Sequence, residues 1–323
     1  MNLEDSIVLI TGGTGSFGNA MIKRLLPTNV KEIRIFSRDE FKQDQMRSIY
    51  SDPRIKYFIG NVRDPRSLVH PMSGVNYVFH ASALKQVPSC EENVMEAINT
   101  NVLGANNVID SCIENKVLAV VILSTDKACY PINTMGITKA LSEKIAISKS
   151  LTTNGTRIMV TRYGNVMYSR GSVLPIFIDQ ARTGTPLTIT NELMTRFLMT
   201  LTDAVDLVLY AWENGKGSET YVMKSKSIDL RTLADTIIEM YGKNNDIAVI
   251  GERKGEKTYE VLISQEEMTI SREEDRYFVV DWSKRTPSGK INPYTSENCE
   301  RFTKDELKNI IIHGSYEKHG SWI

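Results

Sequence analysis

Cysteine is scarce in this sequence, with four residues among 323, and the four lie far apart. The positions of Cys90, Cys112, Cys129 and Cys299 contain no short pair, which argues against a zinc site and against a disulfide framework. The four histidines show no ligand spacing either. We therefore expect no metal and assign the histidines no chemistry; His80, which ends a predicted strand, is expected to be structural.

Long apolar runs and an excess of charge of one sign are absent as well. Lys plus Arg and Asp plus Glu both number 39 and are spread along the chain, so there is no electrostatic argument for nucleic acid or an anionic membrane surface. No stretch approaches the roughly 20 apolar residues of a membrane span, and no basic segment with an apolar run opens the chain. These features predict a cytoplasmic protein without membrane insertion whose partner is a small molecule.

Short apolar runs alternate with amphipathic segments over the first 165 residues. The runs are Ile7–Ile10, Ile33–Phe36, Ile55–Ile59, Val75–Phe79, Val117–Leu123 and Ile158–Val160. Such runs suit parallel strands buried on both faces, so we predict an α/β fold with a Rossmann-type doubly wound parallel sheet over residues 1–165. The irregular pattern that follows predicts a smaller C-terminal α/β substrate lobe over 166–268. Residues 269–323 are predicted to be a tail with a loop over Trp282–Asn298 and a final helix from Thr303.

A glycine-rich turn follows the first predicted strand and opens a helix. It contains Gly12, Thr14, Gly15, Ser16 and Phe17. Glycines let such a turn close and bring backbone N–H groups against a pyrophosphate, while the helix N-terminus favours its negative charge. The turn therefore predicts a nicotinamide dinucleotide cofactor.

The end of the second predicted strand indicates which dinucleotide binds. An NAD site usually holds the ribose hydroxyls with an acidic residue where Ser37 or Arg38 stands here. Arg38, helped by Ser37 and Lys42, is suited to pair with the additional 2′-phosphate of NADP. We therefore predict NADP.

The usual catalytic tyrosine is missing. Enzymes with this type of turn usually place a Tyr four residues before an active-site Lys, but here Met135 stands four residues before Lys139. A thioether cannot accept a proton, so the adjacent Asp126 and Lys127 become the candidate acid and base. Tyr130 lies nearby, but the Pro that follows it suggests that it is fixed in the loop.

Several motifs together carry a resemblance to a known family. They are the glycine turn, Asn61–Asp64, His80–Pro88, Ser124–Pro131 and Arg162–Val166. With these motifs the chain resembles the extended short-chain dehydrogenase/reductases of nucleotide-sugar metabolism over roughly residues 6–264. Within them it is similar to the short, 5-epimerising form of the capsule-type UDP-N-acetylglucosamine 4,6-dehydratases of the polysaccharide biosynthesis protein family. Those relatives also carry Met at the Tyr position.

The resemblance implies a redox-neutral reaction. Tightly bound NADP+ takes a hydride from sugar C4, water is lost across C5 and C6, and the hydride returns to C6. Lys127 and Asp126 would supply the base and the acid, and a Lys base would need its pKa lowered by burial or by cations such as Lys139. Thr125 would bond the C4 hydroxyl, and Lys139 would bind the nicotinamide ribose.

The resemblance also implies two sets of binding residues. Beyond the turn and Ser37, Arg38 and Lys42, the cofactor residues would be Asn61, Val62, Ala81, Ser82, Ala83, Lys85, Asn101, Lys139, Tyr163 and Asn165. The UDP-sugar residues would be Lys85, Asn165, Arg170, Ser172, Val173, Thr195, Arg196, Arg253 and Glu256. Asn61 and Ser82 depart from the usual Asp and Ala, but neither change predicts loss of the cofactor.

Two other functions stay open. A UDP-sugar C4 epimerase shares fold and cofactor but normally depends on the missing Tyr. The absence of the catalytic Tyr also suggests a non-catalytic NADP-binding regulator. The presence of Asp126, Lys127 and Lys139 together argues against this alternative. Relatives commonly assemble through sheet-flanking helices, so a homo-oligomer is expected.

Overall fold

The computed structural model describes residues 3–169, 171–252, 254–284 and 291–313. The strands in these ranges are β1 (Ile7–Thr11), β2 (Glu32–Ser37), β3 (Ile55–Ile59), β4 (Tyr77–His80), β5 (Ala119–Leu123), β6 (Arg157–Arg162), β7 (Asn165–Val166), β8 (Leu187–Ile189), β9 (Thr195–Met199), β10 (Glu219–Met223), β11 (Ser227–Asp229), β12 (Ile247–Val249), β13 (Val261–Ile263), β14 (Ser271–Glu274), β15 (Tyr277–Asp281) and β16 (Tyr294–Thr295).

The helices are listed in the same order. They are α1 (Ser16–Leu25), α2 (Glu40–Ile49), α3 (Val69–Met72), α4 (Val87–Glu92), α5 (Val94–Ala97), α6 (Gly104–Glu114), α7 (Thr134–Thr152), α8 (Val173–Thr183), α9 (Leu201–Asn214), α10 (Leu230–Tyr241), α11 (Gln265–Met268) and α12 (Lys304–His313). A π-helical turn spans Ile98–Leu103, and 3-10 turns span Pro65–Leu68 and Asp126–Ala128. No helix in the described ranges is long and apolar enough to cross a membrane.

The central sheet has the strand order β14-β15-β10-β6-β5-β4-β1-β2-β3. Seven neighbouring strands of this sheet, β10, β6, β5, β4, β1, β2 and β3, pair in parallel. The strands β15 and β14 add an antiparallel edge beside β10. The predicted doubly wound α/β fold is confirmed, and each of the six apolar runs forms one of the first six strands.

Burial on both faces explains why these strands read as continuous apolar runs. All five residues of β5 are buried. Val121 packs in the cluster that includes α9, whereas Val120 and Ile122 pack in the cluster that includes α6 and α7. Neither face of the strand meets water, so no polar alternation appears in its sequence.

The central sheet also takes strands from beyond residue 165. β10 lies beside β6, and β15 and β14 follow it, so the predicted substrate lobe and the predicted tail both contribute to the sheet. Local sequence could not reveal this placement, because the pairing of β10 with β6 joins segments about 60 residues apart.

The smaller lobe has its own core. Apolar residues of α8, α10 and α12 pack there around residues such as Phe177, Ile237 and Ile311. α10 coincides with a helical pattern that the sequence shows over Leu230–Tyr241, and α12 confirms the final helix predicted from Thr303. The predicted loop over Trp282–Asn298 contains the short strand β16, which pairs with β13, while residues 285–290 lie outside the described ranges.

Candidate active site

A cleft of about 560 Å³ lies where the parallel strands end. The loops after β1 to β6 open onto it, because parallel strands present their carboxyl ends at one edge of the sheet. The predicted site residues that line it are Gly12, Thr14, Gly15, Ser16, Phe17, Ser37, Arg38, Lys42, Asn61, Val62, Ala81, Ser82, Ala83, Lys85, Thr125, Asp126, Lys127, Lys139, Tyr163, Asn165 and Ser172.

The glycine turn forms a close-fitting cradle. Gly12 has a φ of +66°, and a Cβ atom there would lie 2.8 Å from the backbone N of Ser82. A Cβ atom on Gly18 would lie 2.0 Å from the backbone O of Gly13. Helix α1 begins after Gly15, a position that offers no side-chain cap, and a helix N-terminus favours an anion. The residues present therefore fit a dinucleotide pyrophosphate.

The end of β2 presents one cation that is not engaged. Arg38 is exposed, lines the cleft and makes no hydrogen bond or ion pair with the described residues. Lys42 is paired with Asp39, with 2.6 Å between Nζ and Oδ2. The hydroxyl of Ser37 accepts a hydrogen bond from Gln43 Nε2 at 3.1 Å. Of these two cations, Arg38 is the one without a partner among the described residues.

Two asparagines predicted to contact the cofactor have different positions. Asn61 lines the cleft, and its Oδ1 atom already accepts the backbone N–H of Arg63 at 3.1 Å, which leaves one acceptor site. Asn101 is buried behind the cleft. Its amide bonds both backbone groups of Leu84 and the hydroxyl of Thr138, so it holds the loop after β4 against α7.

The end of β5 positions Asp126 and Lys127. The Asp126 N–H donates to the backbone O of Tyr163, which extends the pairing of β5 with β6, and Thr125 caps the 3-10 turn that follows. Asp126 Oδ1 accepts from Thr125 Oγ1 at 2.9 Å and from Lys127 Nζ at 3.0 Å. Asp126 Oδ2 is buried and makes no hydrogen bond with the described residues.

The charge environment of Lys127 differs from the expectation. A second carboxylate oxygen, Glu260 Oε1, lies 3.0 Å from Lys127 Nζ. Burial by itself lowers the pKa of Lys127, but the carboxylates of Asp126 and Glu260 outweigh it and hold the pKa above its usual value. The expected lowering of this pKa is therefore wrong, because carboxylate oxygens of Asp126 and Glu260 each lie 3.0 Å from the amine.

Lys139 has the opposite environment. Its Nζ atom is buried and donates to the backbone O of Leu123 at 2.6 Å. Burial lowers the pKa of Lys139 to about 8, and Glu143, one helical turn further on, partly opposes the shift. Met135 lies one turn before Lys139, lines the same cleft and packs against Ala97.

Of the nearby ring side chains, His80 and Tyr130 are engaged in hydrogen bonds with other residues. His80 Nδ1 is bonded to Thr11 Oγ1 at 2.8 Å, and burial together with the charge of Lys139 lowers the pKa of His80 to about 3. Tyr130 donates its hydroxyl to Glu266 at 2.8 Å and does not line the cleft. Tyr163 lines the cleft, and burial raises its pKa.

The predicted substrate residues divide into three groups. Lys85, Asn165 and Ser172 line the cleft, whereas Val173, Thr195, Arg196 and Glu256 do not. Thr195 Oγ1 bonds Ser296 Oγ at 2.8 Å, and Arg196 Nη1 donates to Thr195 O at 2.8 Å. Arg170 and Arg253 lie outside the described residues.

Sequence reasoning missed two groups of buried charges. Glu260 gave no local signal, because its partner Lys127 lies more than 130 residues earlier. Arg162 forms ion pairs with Glu143 at 2.5 Å and with Glu267 at 2.8 Å. A signal for Arg162 existed, since an Arg that directly continues an apolar strand is rarely buried without a partner.

Comparisons with known proteins agree with this fold. A family model described as polysaccharide biosynthesis protein matches residues 8–281. A Rickettsia akari (strain Hartford) relative named UDP-glucose 4-epimerase is 49% identical, with 97% of each chain covered. The structure of Pen from Bacillus thuringiensis superposes with a TM-score of 0.91 at 36% identity, covering 97% of this chain and 99% of that one.

A more distant structure shows the same fold. DesIV, a dTDP-glucose 4,6-dehydratase from Streptomyces venezuelae solved with NAD and TYD bound, has a TM-score of 0.71 at 20% identity, covering 78% of this chain and 86% of that one. The chain belongs to the polysaccharide biosynthesis protein family and has the fold of the short-chain dehydrogenase/reductase type found in nucleotide-sugar epimerases and dehydratases.

Proposed function

We propose that this protein is an NADP-dependent UDP-N-acetylglucosamine 4,6-dehydratase that inverts C5. One observation carries the proposal: Asp126 and Lys127 lie 3.0 Å apart on the wall of the cofactor cleft, while the position one turn before Lys139 holds Met135. Epimerisation at C4 needs one group that exchanges a proton with the C4 hydroxyl. Dehydration needs further proton transfers at C5 and at the C6 oxygen, and an adjacent acid and base supply them.

The cradle and Arg38 support NADP as the cofactor. The turn after β1 would hold the pyrophosphate, and Arg38 would pair with the 2′-phosphate. When bound, the oxidised dinucleotide supplies the acceptor for the hydride that leaves C4 and later returns to C6.

The chain's own residues divide the remaining work. Thr125, the N-cap residue of the 3-10 turn, would form a hydrogen bond with the C4 hydroxyl. Lys139 would stabilise the negative charge that develops on that oxygen, and its pKa of about 8 makes it able to give up or hold a proton near neutral pH. Asp126 and Lys127 would exchange protons at C5 and C6.

The names of the relatives and the polar residues of the cleft support a UDP-sugar as the substrate. Relatives of nearly half identity are named for a UDP-sugar reaction, and Lys85, Asn165 and Ser172 provide polar groups on the substrate side of the cleft. The other predicted substrate residues would then lie next to these groups without lining the cleft. They are Val173, Thr195, Arg196 and Glu256.

A UDP-glucose 4-epimerase is the second candidate. The names of the relatives favour it, whereas the adjacent Asp126 and Lys127 disfavour it, because epimerisation at C4 needs no acid and base for C5 and the C6 oxygen.

Incubation in D2O separates these candidates. The purified protein, without added cofactor, is given UDP-N-acetylglucosamine or UDP-glucose, and the sugars are followed by NMR and mass spectrometry. Dehydration predicts a 4-keto product that has lost water and gained deuterium at C5, with inverted configuration there. Conversion of UDP-glucose to its C4 epimer without loss of water would instead support the epimerase. Bound NADP with both sugars unchanged would support a non-catalytic role.

A further inference from the structure

Gln43 is a buried amide at the carboxyl ends of β2 and β3. It lies near the beginning of α2, and only 2% of the residue is exposed. Its Nε2 atom donates to the backbone O of Ser37 at 3.1 Å and to the backbone O of Phe58 at 2.9 Å. A carbonyl oxygen can only accept a hydrogen bond, so the nitrogen of this amide, and not its oxygen, must face the two strand ends.

The same nitrogen sets the direction of one hydroxyl group. Gln43 Nε2 lies 3.1 Å from Ser37 Oγ. An amide NH2 group has donors only, so Ser37 Oγ is the acceptor of this bond and its own proton must point elsewhere. Ser37 lines the cleft, and its hydroxyl donates to no residue that the structure describes. The Ser37 hydroxyl therefore meets the cleft as a hydrogen-bond donor.

Stability alone does not explain why a glutamine stands at this position. Gln43 Oε1 is buried and makes no hydrogen bond with the described residues. A buried polar atom without a partner lowers the free energy of unfolding. The amide is explained if its nitrogen has a task at the end of β2 that an apolar side chain of similar size cannot perform.

The next residue adds a charge to the donor. Arg38 also lines the cleft, and it makes no hydrogen bond or ion pair with the described residues. A phosphate accepts hydrogen bonds through its oxygens, and a hydrogen bond to a charged acceptor is about twice as strong as one between neutral groups. The hydroxyl of Ser37 and the guanidinium of Arg38 therefore favour a phosphate over the neutral ribose hydroxyl that NAD has in its place.

We propose that Gln43 is a positioning residue that selects NADP over NAD through Ser37, because its amide nitrogen keeps the Ser37 hydroxyl as a donor towards the 2′-phosphate. This inference rests on the proposed NADP cofactor and deepens it. It needs no contact between Gln43 and the dinucleotide, and Gln43 does not line the cleft.

The test measures which dinucleotide the protein retains. Wild type and variants are dialysed to equilibrium against an equal mixture of NADP+ and NAD+, and the nucleotides released on denaturation are quantified by chromatography. Wild type should retain mainly NADP. The ratio of NADP to NAD should fall about tenfold in Ser37→Ala, which loses a hydrogen bond to a charged group, and about fivefold in Gln43→Met, which loses only its orientation. Gln45→Met, at a half-buried position of the same helix outside the cleft, is the matched control and should keep the wild-type ratio.

A double variant distinguishes positioning from a general effect on the fold. If Gln43 acts through Ser37, Gln43→Met should lower the ratio no further in a Ser37→Ala background. A merely structural role would weaken retention of both dinucleotides alike, so an unchanged ratio in Gln43→Met would overturn the proposal. A further fivefold fall in the double variant would overturn it as well. Gln43→Leu, which also lacks the amide, is measured beside Gln43→Met so that the result does not depend on the folding of one variant.

Arg38→Met separates this inference from the proposed cofactor. A lower ratio in Arg38→Met together with an unchanged ratio in Gln43→Met would support NADP and overturn the role of Gln43. Wild type that retains mainly NAD would overturn the proposed cofactor and the inference with it. All these measurements read bound nucleotide and not turnover, so a protein that dehydrates no UDP-sugar can still support or overturn the role of Gln43.

Discussion

Single residues in this cleft acquire their chemistry from their immediate partners. Lys127 and Lys139 are both lysines at the edge of one cleft, yet their pKa values move in opposite directions. Lys127 faces two carboxylates within ion-pair distance. Lys139 is buried and donates to a backbone carbonyl, and the carboxylate of Glu143 only partly opposes the lowering of its pKa. The residue type alone therefore does not assign the proton donor.

Replacing Met135 by Leu should change little. Met135 lines the cleft and packs in a small apolar cluster, and Leu keeps nearly the same volume. We expect kcat on the preferred sugar to stay within about threefold of wild type, since neither side chain exchanges protons. Asp126→Asn, assayed in parallel, should fall by about 100-fold. A comparable fall in Met135→Leu would assign the thioether a role beyond shape.

Lys139 should give the folded protein a distinct pH dependence. Its pKa is lowered from 10.5 to about 8 by burial, so between these values the unfolded chain binds more protons than the folded one. The buried Lys139 therefore lowers the free energy of unfolding most below pH 8, and this destabilisation decreases as the pH rises towards 10.5. The free energy of unfolding of wild type relative to Lys139→Met should increase by about 3 kcal/mol from pH 8 to 10.5, measured by urea denaturation.

Lys144→Met is the control for that measurement. Lys144 lies on the same helix at an exposed position, so its replacement removes a lysine without removing a buried amine. An equal pH trend in the two variants would contradict the assignment of the effect to burial of Lys139.

At the scale of elements, the loops after several parallel strands bring different groups to the cleft. The turn after β1 forms the cradle, and the end of β2 presents Arg38. The end of β5 presents Asp126 and Lys127, and α7 brings Met135 and Lys139 to the same space. The alternation of strand and helix places these segments together because all the strands from β1 to β6 run in one direction.

The cradle permits a matched comparison of two glycines. Gly12 and Gly74 have nearly the same φ, +66° and +71°, but only at Gly12 would a Cβ atom clash, 2.8 Å from Ser82 N. Gly74→Ala should lower the free energy of unfolding by about 1 kcal/mol from backbone strain alone and keep its bound dinucleotide. Gly12→Ala should be less stable still and should lose the dinucleotide, measured as nucleotide released per mole of denatured protein. Equal cofactor content in the two variants would refute the role of the cradle.

At the scale of the whole molecule, charges on residues 260–267 form ion pairs with residues far earlier in the chain. Glu260 reaches Lys127, and Glu267 reaches Arg162 on β6, which also pairs with Glu143 on α7. The helix that carries Lys139 is thus tied to the central sheet and to the later part of the chain by one guanidinium group. Removing that group affects all three segments.

Arg162→Met should therefore be strongly destabilising. It leaves two carboxylates buried without their partner, which lowers the free energy of unfolding by about 3 to 5 kcal/mol. The triple variant Glu143→Gln, Arg162→Met, Glu267→Gln should recover much of that loss, because no uncompensated buried charge remains. Thermal and urea unfolding measure both. A triple variant no more stable than Arg162→Met would contradict the electrostatic explanation.

The sequence by itself determined the fold class, the cradle and the identity of the acid and base candidates. Apolar runs and a glycine turn between strand and helix can be read from the sequence, because each depends on residues that are close together in the chain. Only the tertiary structure decided which charges meet. Glu260 and Arg162 take their roles from partners far along the chain, β10 joins a sheet begun in another region, and Asn101 lies behind the cleft. Electrostatic energy depends on distances in space, which only the folded chain defines.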